Sequence, residues 1–329
     1  MRVLVTGGAG YIGSQTVRLL RGRGDDVVVY DSLELGHRQA VGDTPLVVGN
    51  TRDEKLLRSV LRDYKIEAVI HFAAYKAAGE SVLAPGKYFD NNVLGTLSLL
   101  EAMRHETIPH LVFSSTAAVY GNPKVLPVSE SAELGPENPY GESKLLVEKI
   151  LPWFDQAHGL KSVALRYFNA AGADFDGTMG EDPRYAQNLI PLVLKAATGR
   201  APSIKVFGSD YPTPDGTCIR DYIHVIDLGR AHLAALDYLR GGGKSEIVNL
   251  GTGRGASVNE VLAAAEKAAG HPIPVERVGR RAGDPVSVYA DNRKAREVLG
   301  WSPKYGLTEI VDSAWRWQST HPDGYGDEG

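Results

Sequence analysis

Short apolar runs alternate with amphipathic stretches along the first half of the chain. Buried strands are predicted at 3–5, 27–30, 46–48, 68–70, 111–113 and 163–165. Between them, apolar positions recur at helical spacing, as in 54–64 and 94–104. Strands that alternate with helices form a parallel sheet covered on both faces. The pattern therefore predicts a doubly wound α/β domain.

From Gly172 onward the pattern changes to long loops and isolated elements. Helices are predicted at 189–198 and 257–269, with a short strand at 204–207. We expect a smaller, mixed α/β lobe that caps the sheet edge and closes over a substrate. We predict a first domain at 1–168 and a second lobe at 169–329, with the segment 222–250 returning to the first domain. Trp315 and Trp317 should fasten a terminal helix, and the Gly-, Asp- and Pro-rich tail from Thr320 should be frayed.

A glycine-rich turn follows the first predicted strand. Residues 7–13 satisfy G-x-G-x-x-G from Gly8 and G-x-x-G-x-x-G from Gly7, and a helix follows. Glycines let the backbone approach a pyrophosphate, and the free N–H groups of a helix N-terminus favour an anion. The second strand ends at Asp31, an acid that can accept a hydrogen bond from a ribose hydroxyl. This order predicts a dinucleotide-binding Rossmann domain.

The residues after Asp31 bear on the choice of dinucleotide. Ser32 stands where an arginine would favour the 2′-phosphate of NADP, so NAD is the preferred prediction. Arg38 is close enough in sequence to leave NADP open.

Tyr140 and Lys144 lie four residues apart at the start of a predicted helix, so their side chains share one face. A phenol is a poor base at neutral pH, since its ordinary pKa is about 10. A neighbouring ammonium and an oxidised nicotinamide both favour the phenolate and lower that pKa. The pair is therefore interpreted as a base that can take a proton from an alcohol.

Composition limits the other functions. The net charge of −4, with 23% charged residues, argues against nucleic acid or an anionic membrane as a partner. The single cysteine, Cys218, and the lack of a separate leader or a long apolar window predict a soluble cytoplasmic protein. The nine histidines show no metal-ligand spacing, so no metal site is predicted, and His71 and His224 are interpreted as structural.

Six motifs in one order carry a family resemblance. They are Thr6–Gly13, Ser114–Thr116, Tyr140 with Lys144, Arg166–Asn169, Asp215–Thr217 with Arg220–Val225, and Trp315–Ser319. Together they resemble the extended short-chain dehydrogenase/reductase superfamily, and within it the UDP-glucose 4-epimerase family over nearly the whole chain. The resemblance implies reversible, NAD-dependent epimerisation at C4 of a UDP-hexose through a 4-keto sugar. It also implies a homodimer formed through the two helices that flank the fifth strand.

The resemblance assigns roles by position. Tyr140 would be the catalytic base, Lys144 would hold the nicotinamide ribose and lower the pKa of that tyrosine, and the Thr116 hydroxyl would contact the sugar oxygen. NAD contacts would come from Gly7, Gly10, Tyr11, Ile12, Gly13, Asp31, Asn50, Thr51, Phe72, Ala73, Ala74, Lys76, Asn91, Lys144 and Phe168. Substrate contacts besides Thr116 and Tyr140 would come from Arg220 and Arg281 on the diphosphate, Asp284 on the uridine ribose, Asn169, Asn188 and Leu189 on the diphosphate-sugar, and Lys205, Val206 and Phe207 on the uracil.

Two positions depart from the family pattern. Asn50 stands where the family usually has an aspartate that accepts from the adenine amino group, so NAD would be held a little more weakly. Val288 stands four residues after Asp284, where the family has a bulky tyrosine that restricts the sugar pocket. A smaller residue there would also admit UDP-GlcNAc and UDP-GalNAc. Tyr289 is the next residue, and a register shift of one would reverse this reasoning.

Two other functions share part of the pattern. A sugar-nucleotide 4,6-dehydratase needs an acid after the rim threonine, but Ala117 and Ala118 follow Thr116. A non-enzymatic NAD-sensing regulator would need the glycine turn without the base, and this chain keeps both Tyr140 and Lys144.

Overall fold

The structure, a computed structural model, describes residues 1–281 and 283–326. The strands, in chain order, are β1 (Arg2–Thr6), β2 (Asp26–Asp31), β3 (Leu46–Val48), β4 (Ala68–His71), β5 (His110–Ser114), β6 (Lys161–Tyr167), β7 (Asn169–Ala171), β8 (Ile204–Phe207), β9 (Ile219–Arg220), β10 (Tyr222–His224), β11 (Glu246–Leu250), β12 (Ala256–Ser257), β13 (Val275–Val278) and β14 (Ser287–Val288). The α-helices are α1 (Tyr11–Gly22), α2 (Glu54–Asp63), α3 (Ala78–Leu83), α4 (Pro85–Tyr88), α5 (Gly95–His105), α6 (Pro139–His158), α7 (Leu189–Ala197), α8 (Val225–Arg240), α9 (Val258–Ala269), α10 (Arg293–Leu299) and α11 (Leu307–Thr320). A π-helical segment (Phe89–Leu94) and 3-10 turns (Arg38–Val41 and Ala117–Tyr120) complete them.

Seven strands form one parallel sheet in the order β11-β6-β5-β4-β1-β2-β3. Strand β1 shows why its sequence is continuously apolar. Val3 and Val5 pack on one face, against helices α1 and α8, while Leu4 packs on the other, against α2, α5 and α6. Both faces of the sheet are therefore covered by helices, and the predicted doubly wound Rossmann fold is confirmed.

The chain leaves this sheet after β6 and returns to it later. Strand β7 pairs with β10, helix α8 packs on α1, and β11 then pairs with β6 in parallel. Most of the intervening segment and the C-terminal part build a second, smaller core from α7, α9, α11 and short strands. The predicted smaller mixed α/β lobe is thus confirmed, whereas α8 and the short strands around β9 and β14 were not predicted.

Local sequence fixes where helix α6 begins. Asn138 caps it by accepting a hydrogen bond from the N–H of Gly141 at 3.0 Å, and Pro139 occupies the first turn. Tyr140 therefore lies in the first turn, at the carboxyl edge of the sheet. The helix ends at Gly159, whose positive φ of 69° suits a glycine.

The segment after Thr320 is ordered as far as the structure describes it, so the prediction of a frayed tail was wrong for 321–326. The Tyr325 ring stacks on His37 at 4.6 Å and lies 4.9 Å from Trp317. Its hydroxyl donates to the carbonyl of Gly180 at 3.1 Å. Aromatic packing here outweighs the turn-forming composition; residues 327–329 lie outside the described residues.

Candidate active site

The glycine turn joins β1 to α1 and leaves room beside the helix N-terminus. Gly7 has a φ of 70°, and a Cβ there would come within 2.5 Å of the Ala73 backbone nitrogen. A Cβ on Gly13 would collide with the carbonyl oxygen of Gly7. Gly10 caps α1 without a side-chain hydrogen bond, and the first turn, including Ile12, holds no acid. The turn therefore fits a pyrophosphate, whose oxygens would accept hydrogen bonds from the free N–H groups at the helix N-terminus.

Asp31 closes the adenosine side of this turn. It is buried, and its two carboxylate oxygens accept from the backbone N–H groups of Ala9 and Leu33, each at 2.9 Å. Burial raises the pKa of Asp31, and those two hydrogen bonds oppose the rise. An acid held in place this way keeps a free lone pair for a ribose hydroxyl.

Asn50 and Thr51 lie at the far edge of the same crevice. The Asn50 side-chain oxygen accepts from the N–H of Arg52 at 2.9 Å, and its carbonyl accepts from the Tyr30 hydroxyl at 2.8 Å. Thr51 is buried against Gly95. The Asn50 oxygen predicted to face adenine therefore already has one partner.

Tyr140 and Thr116 meet at the carboxyl edge of the sheet. Thr116 caps the 3-10 turn by accepting from the N–H of Ala118 at 3.2 Å, and its side chain lies close enough to Tyr140 to affect the pKa of the phenol. Burial raises the pKa of Tyr140, whereas the nearby Thr116 hydroxyl and the charge on Lys76 lower it. A hydroxyl pair of this kind can pass a proton between a sugar oxygen and the phenol.

Lys144 lies one turn further along α6 and is almost fully buried. Its ammonium donates to the carbonyl of Ser114 at 2.8 Å and lies 4.9 Å from the centre of the Phe113 ring. Burial lowers the pKa of Lys144 to about 7, and the charge of Glu148 opposes that fall. In this structure the charge on Lys76 opposes the rise in the pKa of Tyr140, and the lowering of that pKa by Lys144 stays a prediction.

The loop after β4 lines the crevice opposite the glycine turn. Phe72 and Ala73 donate their backbone N–H groups to the carbonyl of Thr6, and Ala74 follows them. Lys76 bonds Glu181 at 2.8 Å and lies 5.8 Å from the centre of the Tyr11 ring.

Two further cofactor candidates bond to other parts of the chain. The Tyr11 hydroxyl donates to the carbonyl of Gly172 at 2.5 Å, which ties the glycine turn to the second lobe. The Asn91 side chain donates to Asn92 at 3.0 Å. These predicted cofactor residues therefore surround one crevice.

The second lobe brings a cluster of guanidinium groups to its surface. Arg281 forms a two-pronged pair with Asp284, at 3.0 and 2.9 Å, and Arg220 lies 3.6 Å from the same carboxylate. The Arg281 guanidinium also lies 5.2 Å from the centre of the Phe207 ring, and its side chain is 63% exposed. Two cations around one acid and a flat ring suit an anionic nucleotide with an aromatic base.

The neighbouring candidates differ in accessibility. Val206 is buried in the core of the second lobe, so only its backbone can reach a ligand. Lys205 points to the surface near Glu276, at 3.9 Å. Asn188 caps α7 without a side-chain bond, which leaves its amide open beside Leu189. Asn169 donates its side-chain amide to the carbonyl of Asp221 at 3.0 Å.

Val288 connects the guanidinium cluster to the sheet edge. Strand β14 pairs Val288 with Arg220, and the Val288 side chain packs with Phe168 against a small apolar cluster that includes Val119. Val288 therefore links Arg220 of the nucleotide candidates to Phe168 of the cofactor candidates.

Sequence reasoning missed several buried polar residues around the crevice. Asn92 bonds the backbone of Tyr75 and the Ser143 hydroxyl, each contact near 3.0 Å, and so joins the π-helical segment to α6. Glu148 and Arg166 form a buried ion pair beneath Lys144. Each looks like an ordinary surface polar residue in the sequence, and only the apolar runs on either side of Arg166 could have indicated its burial.

The described part of the chain contains neither a metal-binding cluster nor a helix that could span a membrane. In residues 1–281 and 283–326, no group of three or more His, Cys, Asp or Glu side chains is arranged to hold a metal ion. Within the same residues, every helix is too short or too polar to span a bilayer.

A Rossmann crevice with a tyrosine, a threonine and a buried lysine at its edge defines a dinucleotide-dependent enzyme site of the short-chain dehydrogenase/reductase type. The model of the NAD dependent epimerase/dehydratase family matches residues 3–251, and the chain belongs to that family. A UDP-glucose 4-epimerase of Halalkalibacterium halodurans is 50% identical over 100% of this chain and 98% of its own length. The predicted family resemblance is therefore confirmed.

The folds of solved epimerase structures match this chain over nearly its whole length. The UDP-glucose 4-epimerase of Bifidobacterium longum in complex with NAD⁺ and UDP is 43% identical, with a TM-score of 0.92, over 99% of this chain and 100% of that one. The UDP-Glc/GlcNAc 4-epimerase of Campylobacter jejuni is 40% identical, with a TM-score of 0.87, over 97% and 99% of the two chains.

Proposed function

We propose that this chain is an NAD-dependent isomerase that interconverts UDP-glucose and UDP-galactose by epimerisation at C4 through a 4-keto sugar. The observation that carries the proposal is the closeness of Thr116 to Tyr140, which lowers the pKa of the phenol, in a chain that also has the glycine turn and the guanidinium cluster. Relatives that are about 50% identical in sequence, such as the protein of Halalkalibacterium halodurans, are named UDP-glucose 4-epimerase after this reaction.

The proton transfer is assigned to the two hydroxyl groups. Tyr140 takes the proton of the C4 hydroxyl, and Thr116 holds the sugar oxygen and relays the proton. When bound, NAD supplies reversible hydride transfer at C4. Lys144 donates to the nicotinamide ribose from a site whose pKa of about 7 leaves it partly protonated at neutral pH.

The guanidinium cluster is assigned the nucleotide. Arg220 and Arg281 bind the diphosphate, Phe207 supports the uracil, and Asp284 accepts from the uridine ribose. Arg281 is accessible and already oriented by Asp284. Strong binding of the nucleotide, with few contacts to the hexose, lets the 4-keto sugar rotate and present its other face while it stays bound.

The two lobes are assigned separate roles. Residues 1–168, joined by 222–250, would hold the dinucleotide, and 169–329 would hold the UDP-sugar. The return of β11 to the large sheet supports this division. Residues 282 and 327–329 of the second region lie outside the described residues.

The sugar pocket is proposed to accept N-acetylated sugars as well. Val288, rather than Tyr289, packs with Phe168, which supports the register on which the idea depends. The Campylobacter jejuni structure is of a UDP-Glc/GlcNAc 4-epimerase, and its fold matches this chain.

We further propose a homodimer formed through α5 and α6. Trp153 on α6 is 69% exposed and Leu94, next to α5, is 45% exposed, so apolar surface is available on this face. A cytoplasmic location remains a prediction from the single cysteine, Cys218.

To test the proposal, the purified chain is incubated without added cofactor with each of four UDP-sugars: UDP-glucose, UDP-galactose, UDP-GlcNAc and UDP-GalNAc. We expect UDP-galactose to give UDP-glucose, and Tyr140→Phe to lower turnover by about 10²–10⁴-fold while still binding NAD and UDP. Tyr64→Phe is the matched control, because Tyr64 is exposed on the far side of the fold. A 4-keto-6-deoxy product would indicate a dehydratase instead, and no product from any of the four sugars would overturn the proposal.

A further inference from the structure

A buried ion pair lies directly beneath the proposed base helix. The side chains of Glu148 and Arg166 are each 2% exposed. The Arg166 guanidinium donates from Nε to both carboxylate oxygens, at 3.0 and 3.1 Å, and from Nη2 to Oε2 at 2.5 Å. Burial disfavours the charged form of Arg166, but the hydrogen bonds and charge of Glu148 prevail and raise the pKa of Arg166. The carboxylate is thus held in one orientation.

The same carboxylate reaches the loop that carries the rim hydroxyls. The Ser115 hydroxyl donates to Glu148 Oε1 at 2.5 Å, and the Ser115 N–H donates to the carbonyl of Leu165 at 2.9 Å. The residues on either side of Ser115 are both functional candidates. Ser114 accepts from Lys144, and Thr116 lies close to Tyr140.

The pair is also fixed from the other side. Arg166 donates to the Tyr120 hydroxyl at 2.8 Å, and that hydroxyl donates to the side chain of Asn249 at 2.7 Å. The backbone N–H of Asn249 in turn donates to the carboxylate of Glu130 at 2.8 Å. Strands β6 and β11 and the 3-10 turn after Thr116 are therefore joined through one chain of buried polar contacts.

We propose that Glu148 is a positioning residue of the epimerase site: through Ser115 it fixes the rim loop against helix α6, and it places its negative charge one helical turn from Lys144. This inference rests on the proposed function for its consequence in turnover, but its electrostatic part concerns residues of this chain alone.

The charges around Lys144 support the second half of the proposal. Glu148 follows Lys144 by one helical turn, so the two side chains share a face of α6. His71, on β4, also faces Lys144, but burial lowers the pKa of His71 to about 3 and leaves the ring neutral. Tyr140 is protonated at neutral pH because burial raises its pKa. Within the described residues, Glu148 is then the negative charge that acts on Lys144.

Stability alone does not account for the pair. Taking two charges out of water costs about as much as their attraction returns, so an apolar pair of similar volume would serve packing equally well. A carboxylate at this place does something that an apolar side chain cannot, since it accepts from Ser115 and supplies charge beneath Lys144.

The first test measures Lys144 without using turnover. The pH dependence of the Lys144 side-chain chemical shift, followed by NMR in the full-length protein with labelled lysine, gives its titration midpoint without a reagent that must reach the buried amine. We expect Glu148→Gln to move that midpoint down by about one unit. Glu148→Asp, which keeps the charge, should restore most of the shift. A midpoint unchanged in Glu148→Gln would overturn the electrostatic role.

The second test uses a variant that leaves the ion pair intact and so avoids loss of folding. Ser115→Ala removes the hydroxyl that joins the loop to Glu148, and we expect kcat for UDP-galactose to fall about tenfold with KM nearly unchanged, because a small misplacement of reacting groups slows the chemical step. Ser162→Ala, at a buried serine on β6, is the matched control. Equal kcat values for the two serine variants would overturn the positioning role.

The two proposals fail in different ways. A wild-type chain that is inert toward all four UDP-sugars overturns the proposed function, while the Lys144 titration still decides between the outcomes for Glu148. An active wild type whose Lys144 midpoint and kcat are indifferent to Glu148→Gln and Ser115→Ala keeps the proposed function and overturns this inference.

Discussion

His71, at the carboxyl end of β4, predicts a specific loss of stability in mild acid. Its ring is fully enclosed and contacts Thr6 Oγ1 at 2.6 Å and Thr96 Oγ1 at 2.8 Å. The Thr96 hydroxyl donates to the carbonyl of Asn92, so it accepts from Nε2 of His71. This assigns the Nε2–H tautomer, in which Nδ1 accepts from Thr6. Protonation of Nδ1 would remove the acceptor for the Thr6 hydroxyl and place a positive charge in a site that excludes water.

The magnitude follows from the two pKa values. Burial lowers the pKa of His71 from 6.5 to about 3 in the folded chain. Between these two pKa values the unfolded chain binds more protons at this histidine than the folded chain does. The stability due to the neutral ring is therefore fully present above pH 6.5 and is lost as the pH falls. From pH 7 to pH 5 the loss in the free energy of unfolding is roughly 2 kcal/mol.

The assay compares wild type with His71→Gln by equilibrium urea unfolding at pH 7 and pH 5, with circular dichroism and fluorescence as two probes. The variant is less stable at both pH values because it loses contacts with Thr6 and Thr96. The free energy of unfolding of the variant should change less between pH 7 and pH 5 than that of wild type, by roughly 2 kcal/mol. His158→Gln, at an exposed position on α6, should leave the difference as in wild type. A variant as acid-sensitive as wild type would refute a neutral, buried His71.

Three further changes test other parts of the structure. Val288→Tyr should remove activity on UDP-GalNAc and spare UDP-galactose, as measured by product formation from each sugar; wild type inert toward UDP-GalNAc would contradict the pocket argument. Gly13→Ala should abolish retention of NAD through purification, because the new Cβ collides with the Gly7 carbonyl, whereas Gly22→Ala has open space and should retain NAD. Trp317→Ala should lower the unfolding free energy by about 3–5 kcal/mol, because the indole is buried and its N–H donates to the Glu181 carbonyl at 2.9 Å; a loss below about 1 kcal/mol would contradict that packing.

Features with a local cause could be predicted from the sequence. The strand at Val3–Val5 is apolar throughout because both sheet faces are covered, and the glycine turn is required by close backbone approach. The start of α6 is fixed by Asn138 and Pro139, which lie next to Tyr140. The Rossmann fold and the candidate base therefore follow from neighbours in the chain.

Features that depend on residues far apart in the chain could not be predicted from the sequence. The Glu148–Arg166 pair joins a helix to a strand, and although the apolar residues around Arg166 indicate a buried strand, nothing near either residue identifies its partner. The effect of Lys76 on the pKa of Tyr140 depends on the packing of the loop after β4, which spacing along helix α6 does not reveal. The orientation of Val206 into the lobe depends in the same way on packing across the second core.

The contact between Tyr325 and His37 has a consequence for biosynthesis. His37 belongs to the loop that follows Asp31, and its ring packs against an aromatic side chain from the last part of the chain. A ribosome that has produced the entire Rossmann sheet has not yet produced this ring. The ring contact that packs against His37 can therefore form only after every strand of the large sheet has been synthesised.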